Sequence, residues 1–253
     1  MIRIKTKSVL PSKLLQIEER MMSADDGHGS SGTLPFQDRH EAGRLLARRL
    51  LALTLRQPVV LALPRGGVPV GFELARVLRA PLDLVLVRKI GVPGQEELAI
   101  GAVADGAAPE LVRDERLIHQ LGVTQEYLDA ATAAGLREIE RRRQAYLGDR
   151  PSTDITGRTA ILVDDGIATG ATMLAALRAT RRRGPERLVL AVPVAARDAL
   201  RRLRNEADDT ICLHTPAVFH AVGQFYRAFP QLSDTEVTAL LRQARAFETG
   251  ATA

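Results

Sequence analysis

The 253-residue chain has one cysteine, four lysines and nine aromatic side chains, and it has no long apolar run. The single cysteine, Cys212, excludes an intrachain disulfide and suits a reducing compartment. The longest unbroken apolar stretch, Leu188 to Ala196, is nine residues with Pro193 inside it, far below the roughly 18 to 20 that a membrane span needs. The opening MIRIKTKSVLPSKLLQIEERMM is basic but has no apolar h-region and no small-residue cleavage site, so secretion is not indicated and the expected location is cytoplasmic. No Gly-Lys pair occurs, which removes the phosphate loop of a nucleoside triphosphatase. The five histidines show no zinc-ligand spacing.

The scarcity of lysine is uneven. Against 31 arginines, Lys5, Lys7 and Lys13 sit in the first 13 residues and Lys89 is the only lysine in the rest of the chain. The net charge of +5 permits anionic ligands, RNA or acidic partners without selecting among them. At 45% hydrophobic and 26% charged, the composition is that of a globular protein, and the length suits one main domain with a small cap.

Residues 23–33, SADDGHGSSGT, are polar and glycine-rich and read as a linker. Gly27, Gly29 and Gly32 match G-x-G-x-x-G, but neither the strand before it nor the helix after it is present, so the match is rejected. From Asp38, apolar residues recur at threes and fours (Ala42, Leu45, Leu46, Leu50, Leu53), followed by the short apolar run Val59 to Leu63. A helix through Leu74 and Leu78 and a strand from Leu82 to Val87 complete a crossover unit. The pattern repeats with strand 159–163, helix 172–183, strand 188–192, helix 196–205 and strand 210–213. The expected fold is α/β, a parallel sheet flanked by helices on both faces. Residues 1–35 form an arm and linker, and 36–215 a core with a mobile loop at about 90–104 and a long helix at about 125–147. Residues 216–253 form a C-terminal hood and tail.

The most informative string is ILVDDGIATGATM, Ile161 to Met173. An apolar strand ends in two carboxylates, and a turn of small and hydroxyl residues runs straight into a helix. The free N–H groups of that helix start, with the Thr169 and Thr172 hydroxyls, form a cradle for one phosphate. A ligand with a phosphate at one end and vicinal hydroxyls near the acids fits this layout, as a 5-phosphoribosyl group does. The plainer alternative is that Asp164 and Asp165 merely cap the strand and helix.

Val163 to Thr172, VDDGIATGAT, resembles the phosphoribosyl pyrophosphate (PRPP) motif of type I phosphoribosyltransferases. LPRGGVPVG from Leu63 and VRKIG from Val87 are similar to strings of a subgroup of that family, and the likeness covers about residues 36–215. It implies that Asp164 and Asp165 bind the ribose 2- and 3-hydroxyls and hold Mg²⁺ indirectly, through ribose or water. Ala168, Thr169, Gly170, Ala171 and Thr172 would wrap the 5-phosphate. Arg65, Gly66 and Gly67 would form the pyrophosphate loop, Arg88 and Lys89 would touch pyrophosphate at the end of the second strand, and the loop over 90–104 would close on the reacting centre. The catalytic set is then Arg65, Lys89, Asp164 and Asp165. The implied activity moves 5-phosphoribosyl from PRPP to an unidentified nitrogenous heterocycle and releases pyrophosphate. A homodimer is expected, and no membrane partner. The competing reading is a PRPP- or nucleotide-sensing regulator on the same fold, with nucleic-acid or protein partners engaged by its arginines.

One position departs from the family pattern. Enzymes acting on 6-oxopurines place an acid where this chain has Ala168, which argues against hypoxanthine or guanine as acceptor. Glu96, Glu97 and Asp105 are the nearby carboxylates that could serve as acid or base. Phe219, Phe225, Tyr226 and Phe229 either stack on a heteroaromatic acceptor or close the hood's own core. Arg141–Arg143 and Arg181–Arg183 read as solvated helix ends.

Overall fold

The computed structural model describes residues 34–104 and 110–248, so the expected arm and the glycine string at 27–32 lie outside the described residues. In chain order the elements open with α1 (Arg39–Leu50), β1 (Val59–Ala62), α2 (Gly67–Leu78) and β2 (Leu82–Leu84). Three strands follow, β3 (Val87–Val92), β4 (Gln95–Ala104) and β5 (Glu110–Arg113), and then α3 (Glu115–Gln120) and the long α4 (Gln125–Leu147). The second half runs β6 (Thr159–Val163), α5 (Ala171–Arg182), β7 (Arg187–Val194), α6 (Arg197–Leu203), β8 (Asp209–His214) and α7 (Asp234–Glu248).

Five strands form a parallel sheet in the order β2-β1-β6-β7-β8. Its central strands are apolar at consecutive positions because both faces are covered. Val60 and Ala62 pack with Leu46, Leu74 and Leu241 from α1, α2 and α7, whereas Val59 and Leu61 pack with Met173, Leu177 and Leu200 from α5 and α6. Full burial of each of these valine, leucine and methionine side chains contributes about 1.5–3 kcal/mol. Among the described residues, no helix is long and apolar enough to cross a membrane.

Residues 90–104, expected as a mobile loop, fold largely as strand. They belong to a second, three-stranded antiparallel sheet, β3-β4-β5, with a register shift at Ile90–Gly91. One face of this small sheet, carrying Ala102 and Ala104, sits on Ala175 and Ala179 of α5. Close packing there demands small residues, which erased the apolar alternation that marks a strand. Arg88 and Lys89 are likewise not the end of the second strand. β2 stops at Leu84, and both lie inside β3.

The hood carries α7 and a short 3-10 turn, Val222–Phe225. It is tied to the chain's first described residues: Phe36 pairs with Tyr226, its N–H donates to the Phe225 carbonyl at 2.8 Å, and Arg227 N–H donates back to Phe36 at 2.8 Å.

Candidate active site

β1 and β6 are adjacent and parallel, with Ala62 opposite Val163, so the loops that follow them leave the same edge of the sheet side by side. From β1 the chain passes to β2 on one side, and from β6 to β7 on the other. Such a reversal opens a crevice at the carboxyl ends of the strands, the general place for ligands in open α/β sheets. Residues 63–67 form one wall and residues 164–170 the other.

The two walls touch. A Cβ on Gly66 would stand 2.1 Å from Asp165 Oδ2, and one on Gly67 would stand 2.7 Å from the Val163 carbonyl oxygen. Only glycine lets the first loop approach the acids this closely. Leu63 N–H donates to the Val163 carbonyl at 3.0 Å, and Gly67 N–H closes back on the Leu63 carbonyl at 3.0 Å. The Gly67 amide, expected as an anion donor, is therefore engaged within its own loop.

Asp165 is buried. Its Oδ2 accepts from Arg39 Nε at 2.8 Å, and its main-chain carbonyl accepts from the Tyr226 hydroxyl at 2.5 Å. Burial raises the Asp165 carboxyl above its ordinary value, while the hydrogen bond and charge of Arg39 pull it back. Asp164 Oδ1 accepts the Asp165 N–H at 2.8 Å. Although Asp164 keeps some contact with solvent, its carboxyl is set deep, and that burial, followed by the charge of Asp165, pushes it well above the usual range. Burial also drives the Tyr226 hydroxyl upward, so it stays protonated as a donor.

After the acids the chain remains anchored. Ile167 bridges to Ala195, donating to the Val194 carbonyl at 2.9 Å and accepting from Ala196 N–H at 2.8 Å. α5 then starts on Gly170, which has φ +82° and gives no side-chain cap. The left-handed conformation favours glycine, and the first-turn N–H groups of Ala171, Thr172 and Met173 lack intrahelical acceptors by helix geometry. Ala168 and Thr169 are exposed, and Gly170, Ala171 and Thr172 are half-buried. Arg202 braces this turn from behind, donating to the Thr169 carbonyl at 2.8 Å. An anion can reach these amides.

A cavity of about 270 Å³ joins the Gly66 wall to the hood, lined by Arg39, Arg65, Gly66, Asp165, Phe229, Gln231 and Leu232. Arg65, which follows a cis Pro64–Arg65 peptide, reaches across to the hood: Nη1 donates to the Leu232 carbonyl at 2.7 Å and lies 3.8 Å from Asp234 Oδ1. Arg88 and Lys89 do not line this cavity. As neighbours in a strand they point to opposite faces. Arg88 lies on the α4 side, its Cβ 3.6 Å from where a Gly135 Cβ would stand, and Lys89 pairs with Ala102 on the face that covers α5. Of the acid/base candidates, Asp105 and the side chains of Glu96 and Glu97 lie outside what is described.

Phe219, Phe225 and Tyr226 close the hood's own core, and Phe229 packs on them while also lining the cavity. Phe225 and Tyr226 are buried with Phe36, and ring centroids are 5.0 Å apart for Phe219–Phe225 and 5.1 Å for Tyr226–Phe229. The guanidinium of Arg39 lies 3.7 Å from the Phe229 ring centre. Sequence reasoning missed Arg39 altogether, and it missed the link of the Tyr226 hydroxyl to the acids. Arg39 and Tyr226 stand 126 and 61 residues from Asp165, and nothing in a local string ties them to it. Among the described residues, no group of three or more His, Cys, Asp or Glu is placed to hold a metal ion. The two adjacent carboxylates fit Mg²⁺ only as part of a shell completed by water and ligand oxygens, which is how that ion is commonly bound.

A family model for the phosphoribosyl transferase domain matches residues 38–229. Two curated relatives from Mycobacterium tuberculosis, "Putative phosphoribosyl transferase Rv0571c" of strain H37Rv and its counterpart MT0597 of strain CDC 1551, are each 47% identical to this chain over 209 residues. The match takes in 83% of this chain and 47% of each relative, so the chain spans about half the length of the curated relatives it matches. The crystal structure of TT1426 from Thermus thermophilus superposes with a TM-score of 0.72 and 43% identity, covering 83% of this chain and 99% of that one.

Proposed function

Because the chain belongs to the phosphoribosyl transferase family, we propose that it transfers the 5-phosphoribosyl group of PRPP to a nitrogenous heterocyclic acceptor and releases pyrophosphate. The observation that carries this reading is the close approach of the Gly66–Gly67 loop to the adjacent carboxylates Asp164 and Asp165, which lie in the chain just ahead of the uncapped start of α5. In it, the amides of Ala171 and Thr172 with the Thr169 and Thr172 hydroxyls hold the 5-phosphate, and Asp164 and Asp165 hold the ribose diol. The sugar is thereby fixed with its anomeric carbon toward the Gly66 wall.

Displacement of pyrophosphate builds positive charge on the sugar and negative charge on the leaving group, so the chain's task is positioning and charge stabilisation. In this reading Arg65 turns from the Leu232 carbonyl toward the leaving oxygens, and Lys89, exposed on the face of the small sheet that covers α5, supplies a second cation to them. Asp164 and Asp165 are the residues that would hold Mg²⁺, through water or the ribose hydroxyls, and the bound ion would offset charge on pyrophosphate. The β3–β4 hairpin closes over the crevice and excludes water in this reading. With Ala168 where 6-oxopurine enzymes place an acid, the acceptor is a heterocycle of another kind.

Incubation of the protein with Mg²⁺, PRPP and a panel of heterocyclic bases, amides and amines tests the reading. Acceptor-dependent pyrophosphate release is expected, and its absence across the panel, together with no calorimetric binding of PRPP, would overturn it. The sensor reading gains nothing from the arginine run. Arg181 pairs with Asp208 at 2.9 Å and Arg182 with Glu110 at 2.7 Å, and Arg183 donates to the Thr153 carbonyl at 2.6 Å.

A further inference from the structure

Arg39 occupies a position that is unfavourable on every local ground. It is the first residue of α1, where the helix dipole disfavours a cation, and its side chain is only 9% exposed, which is costly for a guanidinium unless it is paired and hydrogen-bonded. The compensation is specific. Nε donates to Asp165 Oδ2 at 2.8 Å, Nη1 donates to the Pro230 carbonyl at 2.9 Å, and the plane lies against the Phe229 ring. One side chain thus joins the start of α1, the second acid of the crevice and the hood. The Asp165 carboxylate is wedged between this guanidinium and the Gly66 backbone, while the Tyr226 hydroxyl grips the same residue's carbonyl.

We infer that Arg39 is a positioning residue for the sugar: acting through Asp165, it fixes the carboxylate that recognises the ribose diol and makes that recognition depend on the hood being in place. The inference rests on the proposed function. It predicts a particular kind of damage: loss of Arg39 blunts recognition of the sugar hydroxyls and spares the phosphate cradle, which is built from the start of α5 and braced by Arg202 instead.

Calorimetric binding of ribose 5-phosphate and 2-deoxyribose 5-phosphate, with Mg²⁺ present, separates these terms. The wild-type chain is expected to prefer the ribose compound by about tenfold or more, the range of a hydrogen bond to a charged group. In Arg39→Met the preference should fall to within about twofold, with affinity for the deoxy compound held near the wild-type value. Arg39→Lys keeps the charge but not the forked geometry, and should restore part of the preference.

A preference that survives in Arg39→Met overturns the inference, as does an equal loss of both ligands, which would mark Arg39 as purely structural. Thermal unfolding verifies that each variant folds. If Arg39→Met does not, Arg39→Lys decides: a narrowed preference supports the inference, and an unchanged one overturns it. A wild-type chain that binds neither sugar phosphate, or binds both equally, overturns the inference, and the proposed function falls with it when PRPP is not bound either.

Discussion

The two ends of α5 are built on opposite principles. At its C-terminal end each arginine from 178 to 183 has a partner: Arg178 meets Glu206 at 2.8 Å, Arg181 meets Asp208, and Arg183 meets a carbonyl. Arg182 lies 2.7 Å from the buried Glu110, close enough for an ion pair though not aligned as a hydrogen bond. At its N-terminal end the helix starts on a glycine without a side-chain cap, a few residues after two adjacent acids of which Asp165 is buried and held by one guanidinium. One end carries paired cations in its last turn, as the helix dipole favours, and the other starts without a side-chain cap. Departures from local consistency concentrate where a protein binds or reacts, and here the departures and the crevice coincide.

The largest effect expected at the N-terminal end comes from the acids. Asp165→Asn should reduce PRPP-dependent pyrophosphate release at least a hundredfold, measured with whichever acceptor supports turnover. Asp164→Asn should reduce it comparably, yet leave thermal stability unchanged or improved. The sign follows from the raised carboxyl of Asp164. The folded state holds that proton more tightly than the unfolded chain, so the associated stability is full below the ordinary value of 3.8 and is lost as pH rises through the raised one. The melting temperature of Asp164→Asn relative to wild type should therefore climb as pH rises from about 4 toward neutrality. A fall would contradict the electrostatic account.

Gly66→Ala is next. Its methyl would drive into the Asp165 carboxylate, and we expect destabilisation of about 1–3 kcal/mol with a loss of PRPP affinity greater than that strain alone explains. Gly170→Ala, at φ +82°, should cost about 1–2 kcal/mol and weaken binding of inorganic phosphate, both readable by thermal unfolding and calorimetry. At the far end, Arg178→Gln should change stability by about 0–1 kcal/mol, shrink further at high salt and leave activity alone. A large catalytic effect there would erase the contrast between the ends.

The smallest effect concerns Glu138, where the hydrogen bonds of Arg141 and Arg142 hold the carboxyl down at about 2 instead of 4.5. Its small contribution is present above pH 4.5 and fades as pH falls toward 2. A carbon-detected NMR titration should show that shift without any change in the crevice.

What can be read from the sequence depends on chain distance. VDDGIATGAT is contiguous, so the strand, the acids and the helix start can be inferred together, and the near-continuous apolar strands of the large sheet announce a parallel α/β core. The hairpin of β3 and β4 reads as a loop because one face of the small sheet packs on the alanines of α5, and small residues at the contact imitate the composition of a loop. Arg88 and Lys89 read as a pair because they are neighbours in sequence, whereas strand alternation separates them. Arg39 is invisible for the opposite reason: its partner is 126 residues away, and an arginine opening an amphipathic helix reads as solvated surface. The Arg65 side chain reads as an anion ligand from its loop alone, and its hydrogen bond to the Leu232 carbonyl of the hood has no trace in that loop.

The adjacency of β1 and β6 has a consequence for biogenesis. Each carries one wall of the crevice, and a helix, a whole second sheet and the long α4 intervene between them in the chain. A nascent polypeptide that has not yet emitted β6 owns half of the crevice, and, if the proposed function holds, severed halves would bind a sugar phosphate only by reassociating. Ligand capture therefore reports that the two halves of the molecule have found each other, and an added ligand would act as a noncovalent clasp between them.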